Sequence, residues 1–361
     1  NAIDAVGVEV DEECIEKHTR AAFFSYGGAV PLPLGRSEGS NEPDLLGPHD
    51  IREGFHALYA LVKYRDSRQA RELAEKSIAL ILDYWDPVGD IDYDRLQRDF
   101  GLKLRRGSSF INEAARSIGP LVKYYRATGY GPALELALML KERAVSGFFR
   151  ADGSYDDDLF GTHCHSTTCV LSSLAQLADL THDSVLMGRV KAFYDNGLKQ
   201  ISDELGWGIE TSRREPDNGR GEANNTGDIL ETALLLGRWG YTEYYHDAER
   251  ILRCHLLPSQ LRDVSFIVAP PNPDGIDGRR DVADRLRGGF GFPAPYGHEP
   301  LGIMESNKPR IGFNLDIVGG AVGSLCEAYR EVTGHDDAGH RVNLLFDHET
   351  DAVKVESPYT H

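Results

Sequence analysis

What this chain lacks narrows its class first. Basic residues are scarce: 39 Lys and Arg stand against 57 Asp and Glu, for a net charge of −18. Nucleic-acid binding is driven mainly by Lys and Arg on phosphates, so that balance argues against a nucleic-acid partner and against an anionic membrane surface. No apolar run approaches the about 20 residues of a membrane span. The five cysteines (Cys14, Cys164, Cys169, Cys254 and Cys326) are odd in number, scattered, and form no Cys-x-x-Cys pair. They predict neither a disulfide framework nor a zinc knuckle, and slightly favour a reducing, cytoplasmic interior. No leader is evident, but a trimmed N-terminus would read the same, so localisation stays open. A Gly-x-Ser-x-Gly elbow is missing, which removes the usual serine-hydrolase signal. The run Gly288-Gly-Phe-Gly-Phe-Pro-Ala-Pro295 follows no strand and opens no helix, so it is no nucleotide loop. No cofactor is expected.

What is present is a repeated pair of helices. Apolar spacing predicts helices over 11–28, then Asp50–Tyr64 turning at Arg65-Asp66-Ser67 into Arg68–Trp85. Further pairs follow: Ser108–Ala127 with Pro132–Phe149, His163–Leu180 with Val185–Ile201, and Thr226–Arg238 with Thr242–Leu261. A last helix runs from Asp316 to Val332. The turns at Asp66, Gly129, His182, Gly240 and Gly334 recur at irregular intervals, roughly 50 to 95 residues apart. In each pair the first helix is the more apolar, so the first helices belong inside and the second outside. The predicted fold is all-α, an (α/α) barrel of five or six helical hairpins over residues 1–335. An open superhelix is the alternative, but such arrays keep a stricter period of about 34 to 47 residues. After residue 335 the pattern changes to two strands, Arg341–Phe346 and Ala352–Glu356. Two strands cannot bury a face alone. They either dock on the barrel or begin a β region that continues past His361.

Parallel inner helices would bring their N-termini to one end. Gathered there are Glu53 and His56, then Ser108, Ser109, Asn112 and Glu113, then His163, His165 and Thr167. Asn224, Asn225 and Asp228 join them, with Asn314 and Asp316. Thr226 reads as the N-cap of its helix, with Asp228 in the first turn. Any one of these residues could be a cap. Acids, imidazoles and amides from five helices, with Trp207, Phe290, Phe292, Tyr296 and His298 on nearby loops, suit a polyhydroxylated ligand. The expected partner is an oligo- or polysaccharide. Cleaving a glycosidic bond takes two carboxyl groups, and Glu210, Glu215, Glu222, Asp228, Glu53, Glu113 and Asp316 supply candidates. Thr162-His-Cys-His165 looks like a metal fragment, but an i,i+2 pair of histidines lacks the rest of a tetrahedral set, so no metal is expected. Asp156-Asp-Asp158 reads as a solvated turn.

One resemblance bears on this. His165-Ser-Thr-Thr-Cys-Val-Leu-Ser-Ser-Leu-Ala-Gln-Leu-Ala-Asp-Leu-Thr-His-Asp183, a helix carrying Tyr194, Gly227-Asp-Ile-Leu-Glu-Thr-Ala233, and the run from Tyr244 to Gln260 lie in one order. That order, over roughly residues 110–335, resembles the β-L-arabinofuranosidase family of six-hairpin glycosidases. The resemblance implies that His165 contacts sugar and that Glu210 or Glu222 is the acid/base. It also implies that Asp228 stands roughly where that family has a zinc-holding Glu. Two departures matter. The family's zinc cluster uses three cysteines, one of them the nucleophile, but Leu230 stands at the first and Asn314-Leu-Asp316 replaces the later pair. A cysteine-nucleophile mechanism is therefore not expected, and Asp316 is the substitute to watch.

The expectation is a glycoside hydrolase with Glu210, Glu222, Asp228 and Asp316 as candidate catalytic carboxylates. His56, His163, His165, Asn224, Asn225, Trp207, Tyr296 and His298 are the candidate substrate contacts. The first alternative is a polysaccharide lyase on a uronate glycan, with Asn224 or Asn225, His165 and Tyr296 as neutraliser and bases and Arg213, Arg214 or Arg220 nearby. The second is a carbohydrate-binding toroid that has lost its chemistry. Oligomeric state is not legible.

Overall fold

The computed structural model describes residues 2–86, 88–212, 221–268, 270–276, 279–291 and 315–359, with short strands at 293–294, 297–298, 302–303 and 309–310; between 293 and 316 only backbone is described. The chain forms two compact units. One spans residues 9–197 (the N-terminal unit). The other joins residues 1–8 to 198–361 (the C-terminal unit).

In chain order the helices are α1 (Ala2–Val6), α2 (Glu12–Ser25), α3 (Ile51–Arg65), α4 (Arg68–Asp83), α5 (Tyr93–Phe100), α6 (Ile118–Thr128) and α7 (Gly131–Gly147). Then come α8 (Asp157–Phe160), α9 (Cys164–Thr181), α10 (Ser184–Asn196), α11 (Ala223–Arg238), α12 (Tyr244–Ile251), α13 (Val282–Leu286) and α14 (Leu315–Glu331). None of the described helices is long and apolar enough to cross a membrane.

The hairpins of the N-terminal unit form where the sequence punctuates them. Asp66 and His182 take the left-handed conformation that ends α3 and α9, and Gly129 does the same for α6. The next residues restart the chain: Ser67 accepts from the Ala70 amide, and Asp183 from those of Val185 and Leu186. α3, α6 and α9 pack side by side, each against its partner α4, α7 or α10. The expected inside-outside contrast is clear for α9, buried at every residue from Cys164 to Ala178, against a single apolar stripe on α10. It is weak for the first pair, since α3 and α4 bury similar shares of their residues.

In the C-terminal unit α11 lies between α12 and α14, and α1 packs on α14. Glycines allow the approach of α14: a Cβ on Gly320 would lie 2.2 Å from Asn224 Oδ1, and one on Gly227 2.6 Å from Ser324 Oγ.

Several boundaries differ from those read in the sequence. The helix expected from Ser108 begins only at Ile118, preceded by two 3-10 turns, Phe110–Asn112 and Ala114–Ser117. Between them Glu113 leaves helical geometry (φ −118°, ψ −110°), its carboxylate held by the Arg106 guanidinium through two 2.9 Å contacts. The helix expected from Thr242 starts at Tyr244 and passes into a π-turn over Leu252–Leu256. The one expected to reach Ile201 ends at Asn196. Asp156 is not part of a plain turn; it caps α8 through the Asp158 amide. The C-terminal strands pair differently too, as Thr333–Asp336 with Gly339–Val342 and His348–Glu349 with Lys354–Val355. This tail docks on its own unit, with Leu344 fully buried and the Leu345 amide 3.0 Å from Glu249 Oε2 on α12.

Candidate functional site

Two constellations of polar side chains stand out, one in each unit.

In the C-terminal unit a small ribbon leads into α11. Residues 201–203 bridge to 207–209, which bridge to Gly221. The expected cap is wrong here. Ala223 begins the helix and Glu222 occupies the N-cap position, so Thr226 lies within α11 and Asp228 falls in its second turn. The reason is tertiary. Asn225 Nδ2 donates to the Ile209 carbonyl at 2.8 Å and Thr226 Oγ1 to that of Gly206 at 2.7 Å. Those bonds let a polar, low-propensity run wind into a buried helical turn. Asn224 Nδ2 donates to Glu222 Oε1 at 3.1 Å, and both residues are at least nine-tenths buried.

The ribbon also fixes which way Glu210 and Glu222 point. The Glu222 amide donates to the Gly208 carbonyl, and Ile209 pairs with Gly221. A Cβ on Gly221 would meet the Trp207 indole, and one on Gly208 would meet Asn225. Trp207, Ile209 and Gly221 therefore share one face. Gly208, Glu210, Glu222 and the amides of α11 share the other. Glu210 and Glu222 are diagonal neighbours, a relation that places two residues about 7–8 Å apart, Cβ to Cβ somewhat less. Asp228 is half-buried one turn further along α11. Asp316 lies in α14 with only its backbone described, and His298 likewise in the strand Gly297–His298. Tyr296, Phe292, Asn314, Glu215, Arg213, Arg214 and Arg220 lie outside the described residues. Phe290 is fully buried core.

The N-terminal unit gathers histidines and arginines at the starts of α3 and α9. The His49 and His163 ring centroids are 5.5 Å apart, and those of His163 and His165 5.8 Å. Asn112 joins the two helix starts: its carbonyl lies 2.9 Å from His49 Nδ1 and its Nδ2 3.3 Å from Ser166 Oγ. Ser166 Oγ in turn lies 2.9 Å from His163 Nδ1. A carbonyl only accepts, so His49 Nδ1 carries the proton and its Nε2 is the open acceptor. Arg116, 2 % exposed, donates to the His49 carbonyl at 3.0 Å and reaches Glu53 Oε1 at 3.4 Å. Arg52 Nη1 reaches the same oxygen at 2.7 Å.

Every imidazole here is held neutral. Burial, then Arg116, pushes His163 down to about 3. Burial followed by Arg116 and Arg52 takes His165 well below the ordinary histidine range. Burial followed by Arg52, Lys123 and Arg116 does the same to His56. His49 is lowered by burial and Arg116, against the Asn112 carbonyl, Asp50 and Glu53. Burial would raise Glu53, but Arg52 and Arg116 outweigh it and the carboxyl is lowered.

His163 and His165 thus lie together with His49, and His56 feels the same two guanidiniums, Arg52 and Arg116. Glu113 and Ser109 are structural ties: Glu113 pairs with Arg106, and Ser109 Oγ donates to the Phe160 carbonyl at 2.6 Å. Thr167 is fully buried. The sequence reading missed His49, Arg52, Ser166 and Arg116. A usable signal existed for Arg116, a charge set among Ile111, Ala114, Ala115 and Ile118 on what reads as an apolar stripe.

No described protein family matches this chain, and no curated protein does. Solved structures do match in fold. A family 76 glycoside hydrolase from a bovine Bacteroides thetaiotaomicron strain superposes with a TM-score of 0.51 at 14% identity, over 70% of this chain and 58% of that one. A family 127 β-arabinofuranosidase gives 0.50 at 16%, over 82% and 44%. An inactive variant of the family 76 α-1,6-mannanase of Salegentibacter sp., in complex with α-1,6-mannotetrose, gives 0.51 at 13%, over 89% and 98%. The chain spans only about half the length of the first two. The fold is that of the (α/α) barrel glycosidases, built from helical hairpins, as the sequence pattern predicted.

Proposed function

We propose that this chain is a carbohydrate-active enzyme, a glycoside hydrolase whose proton transfers are made by Glu210 and Glu222. The observation that carries the reading is the placement of two carboxylates on one face of a ribbon, at the start of a buried inner-type helix, in a glycosidase fold. Asn224 donates to Glu222, and a donor favours a charged carboxylate over a neutral acid. Glu222 is then the base. It takes a proton from a water whose oxygen attacks the anomeric carbon, while Glu210 gives its proton to the departing glycosidic oxygen. Asn225 and Trp207 shape the ribbon that carries the acids; in the N-terminal unit, taken by itself, His163, His165, His49 and His56 are neutral imidazoles able to exchange hydrogen bonds with hydroxyl groups. Asp228 and Asp316 remain candidate carboxylates on α11 and α14.

The finer relation to the β-L-arabinofuranosidase family, without its cysteine chemistry, rests on the order of short motifs and is supported by the family 127 likeness. Glu222 also lies at the start of the helix where that family carries its zinc-holding Glu, a better match than Asp228. A screen over plant and bacterial glycans for new reducing ends tests the proposal. Hydrolysis that disappears in Glu222→Gln supports it, and a product absorbing in the ultraviolet would instead mark a lyase.

A further inference from the structure

Helix α11 has no side-chain cap, so the amides that its first turn leaves open need other partners. Two consecutive amides at its mouth find them in different segments. The Glu222 amide donates to the Gly208 carbonyl of the ribbon at 3.1 Å. The Ala223 amide donates to the Gly291 carbonyl, also at 3.1 Å, from a distant stretch of the chain. The Asn225 amide turns back onto the Glu222 carbonyl at 2.9 Å. The backbone of Glu222 is thus held from both sides.

Gly291 is held in place by a clasp. Beyond Leu261 the chain makes an excursion over residues 262–287, most of whose described residues are exposed. It then returns to its own base. The Leu261 amide donates to the Gly289 carbonyl at 2.9 Å, the Gly288 amide to the Leu261 carbonyl at 2.7 Å, and Gln260 Nε2 to the Gly288 carbonyl at 3.3 Å. Leu261 also joins Val264, Ile267 and Val282 in a small buried cluster. The closure requires glycine twice. Gly288 has φ +81°, and a Cβ on Gly289 would lie 2.9 Å from the Leu286 carbonyl oxygen. Phe290 follows, fully buried, and anchors the residue after it.

We propose that, for the hydrolase read above with Glu222 as its base, Phe290 is a positioning residue and the clasp at Gln260, Leu261 and Gly288–Gly291 is the mount of that base. The Phe290 ring fixes the Gly291 carbonyl, and the carbonyl holds the Ala223 amide in the first turn of α11. That turn carries the Asn224 donor and the backbone dipoles that favour a charged Glu222. The glycine-rich run that fails as a nucleotide loop thereby has a place in the site.

Steady-state kinetics of Phe290→Leu on a glycan cut by the wild type, followed over pH beside a thermal melt, tests this. Loosening a mount made through one hydrogen bond should lower kcat about three- to tenfold and change KM little. A base must be ionised, and a loosened turn favours its charge less, so the acidic limb of kcat should move to higher pH. A merely structural Phe290 would lower the melting temperature and leave that limb in place, which would overturn the proposal. Gln260→Ala cuts only the side-chain tie to the Gly288 carbonyl and should move the limb the same way by less. It decides the matter if Phe290→Leu does not fold, and an unmoved limb in it would then overturn the proposal. Glu222→Gln separates this proposal from the reading it rests on. An inactive Glu222→Gln beside an unmoved limb in Phe290→Leu removes the mount and leaves the hydrolase standing. A fully active Glu222→Gln removes the base and the mount with it.

Discussion

Asn224 reaches back from the first turn of α11 to donate to Glu222, the residue that precedes the helix, with 3.1 Å between Nδ2 and Oε1. A side chain just inside a helix thus orients the carboxylate at its mouth. The Glu222 side chain forms no cap bond of its own to the helix amides.

Asn224→Ala should therefore act on turnover more than on substrate capture. With the donor gone, kcat should fall about tenfold or more, the worth of a hydrogen bond to a charged group, while KM changes little. Steady-state kinetics on whichever glycan is cut gives the split. A variant that raises KM and spares kcat would assign Asn224 to substrate binding instead.

The histidine cluster predicts an acid-labile fold. Each of these imidazoles titrates below its unfolded value near 6.5, and His163 does so at about 3. Between those values the unfolded chain binds more protons than the native one, so stability is complete above pH 6.5 and falls as pH drops toward 3. The slope is up to about 1.4 kcal/mol per pH unit for each such histidine. Denaturant melts at a series of pH values should show this, and His163→Gln should flatten the slope by about one proton. An unchanged slope in that variant would remove His163 from the account.

Much of this was legible in the sequence, for physical reasons. Hairpin boundaries at Asp66, Gly129 and His182 showed because the residues that stop a helix and those that restart one follow each other directly. The start of α11 was misread because Asn224, Asn225 and Thr226 look like loop chemistry; carbonyls 16 and 20 residues away hold Asn225 and Thr226 inside a helix. The break at Glu113 was hidden for the same reason, since its partner Arg106 lies on the preceding loop. Arg116 escaped because periodicity weighs apolar residues and passes over a buried charge. Pairing Glu210 with Glu222 needed the register of a ribbon only three strands wide, which no sequence period reports.

The metal content also follows from residues present. His163 and His165 offer ring nitrogens within 4.8 Å of each other, and burial followed by Arg116 keeps both in the neutral, ligating form, but the buried Arg116 guanidinium repels a dication. No Cys-x-x-Cys pair is present to supply zinc thiolates, and Cys164, the residue between the two histidines, directs its Sγ to the Thr162 carbonyl. Metal analysis of protein purified without added zinc should find well under one ion per chain. One tightly held zinc, lost in His165→Ala, would contradict this and reassign the histidines as ligands.

The diagonal placement of Glu210 and Glu222 predicts stereochemistry. Diagonal neighbours stand about 7–8 Å apart, with Cβ atoms somewhat closer, and side chains extended from that spacing can hold two carboxyls about 6.5–9.5 Å apart with room for a water. Proton NMR of the first product should show an inverted anomer. A retained anomer would point to a covalent intermediate and to a nucleophile other than this pair, with Asp228 or Asp316 the next to replace.

The most direct measurement pairs turnover with stability in one variant. Glu222→Gln keeps the shape of the side chain and removes its charge. On a glycan cut by the wild type, release of new reducing ends should fall by about 10² or more while the melting temperature stays within a few degrees. Full activity in Glu222→Gln, or activity lost only in step with stability, would contradict the account.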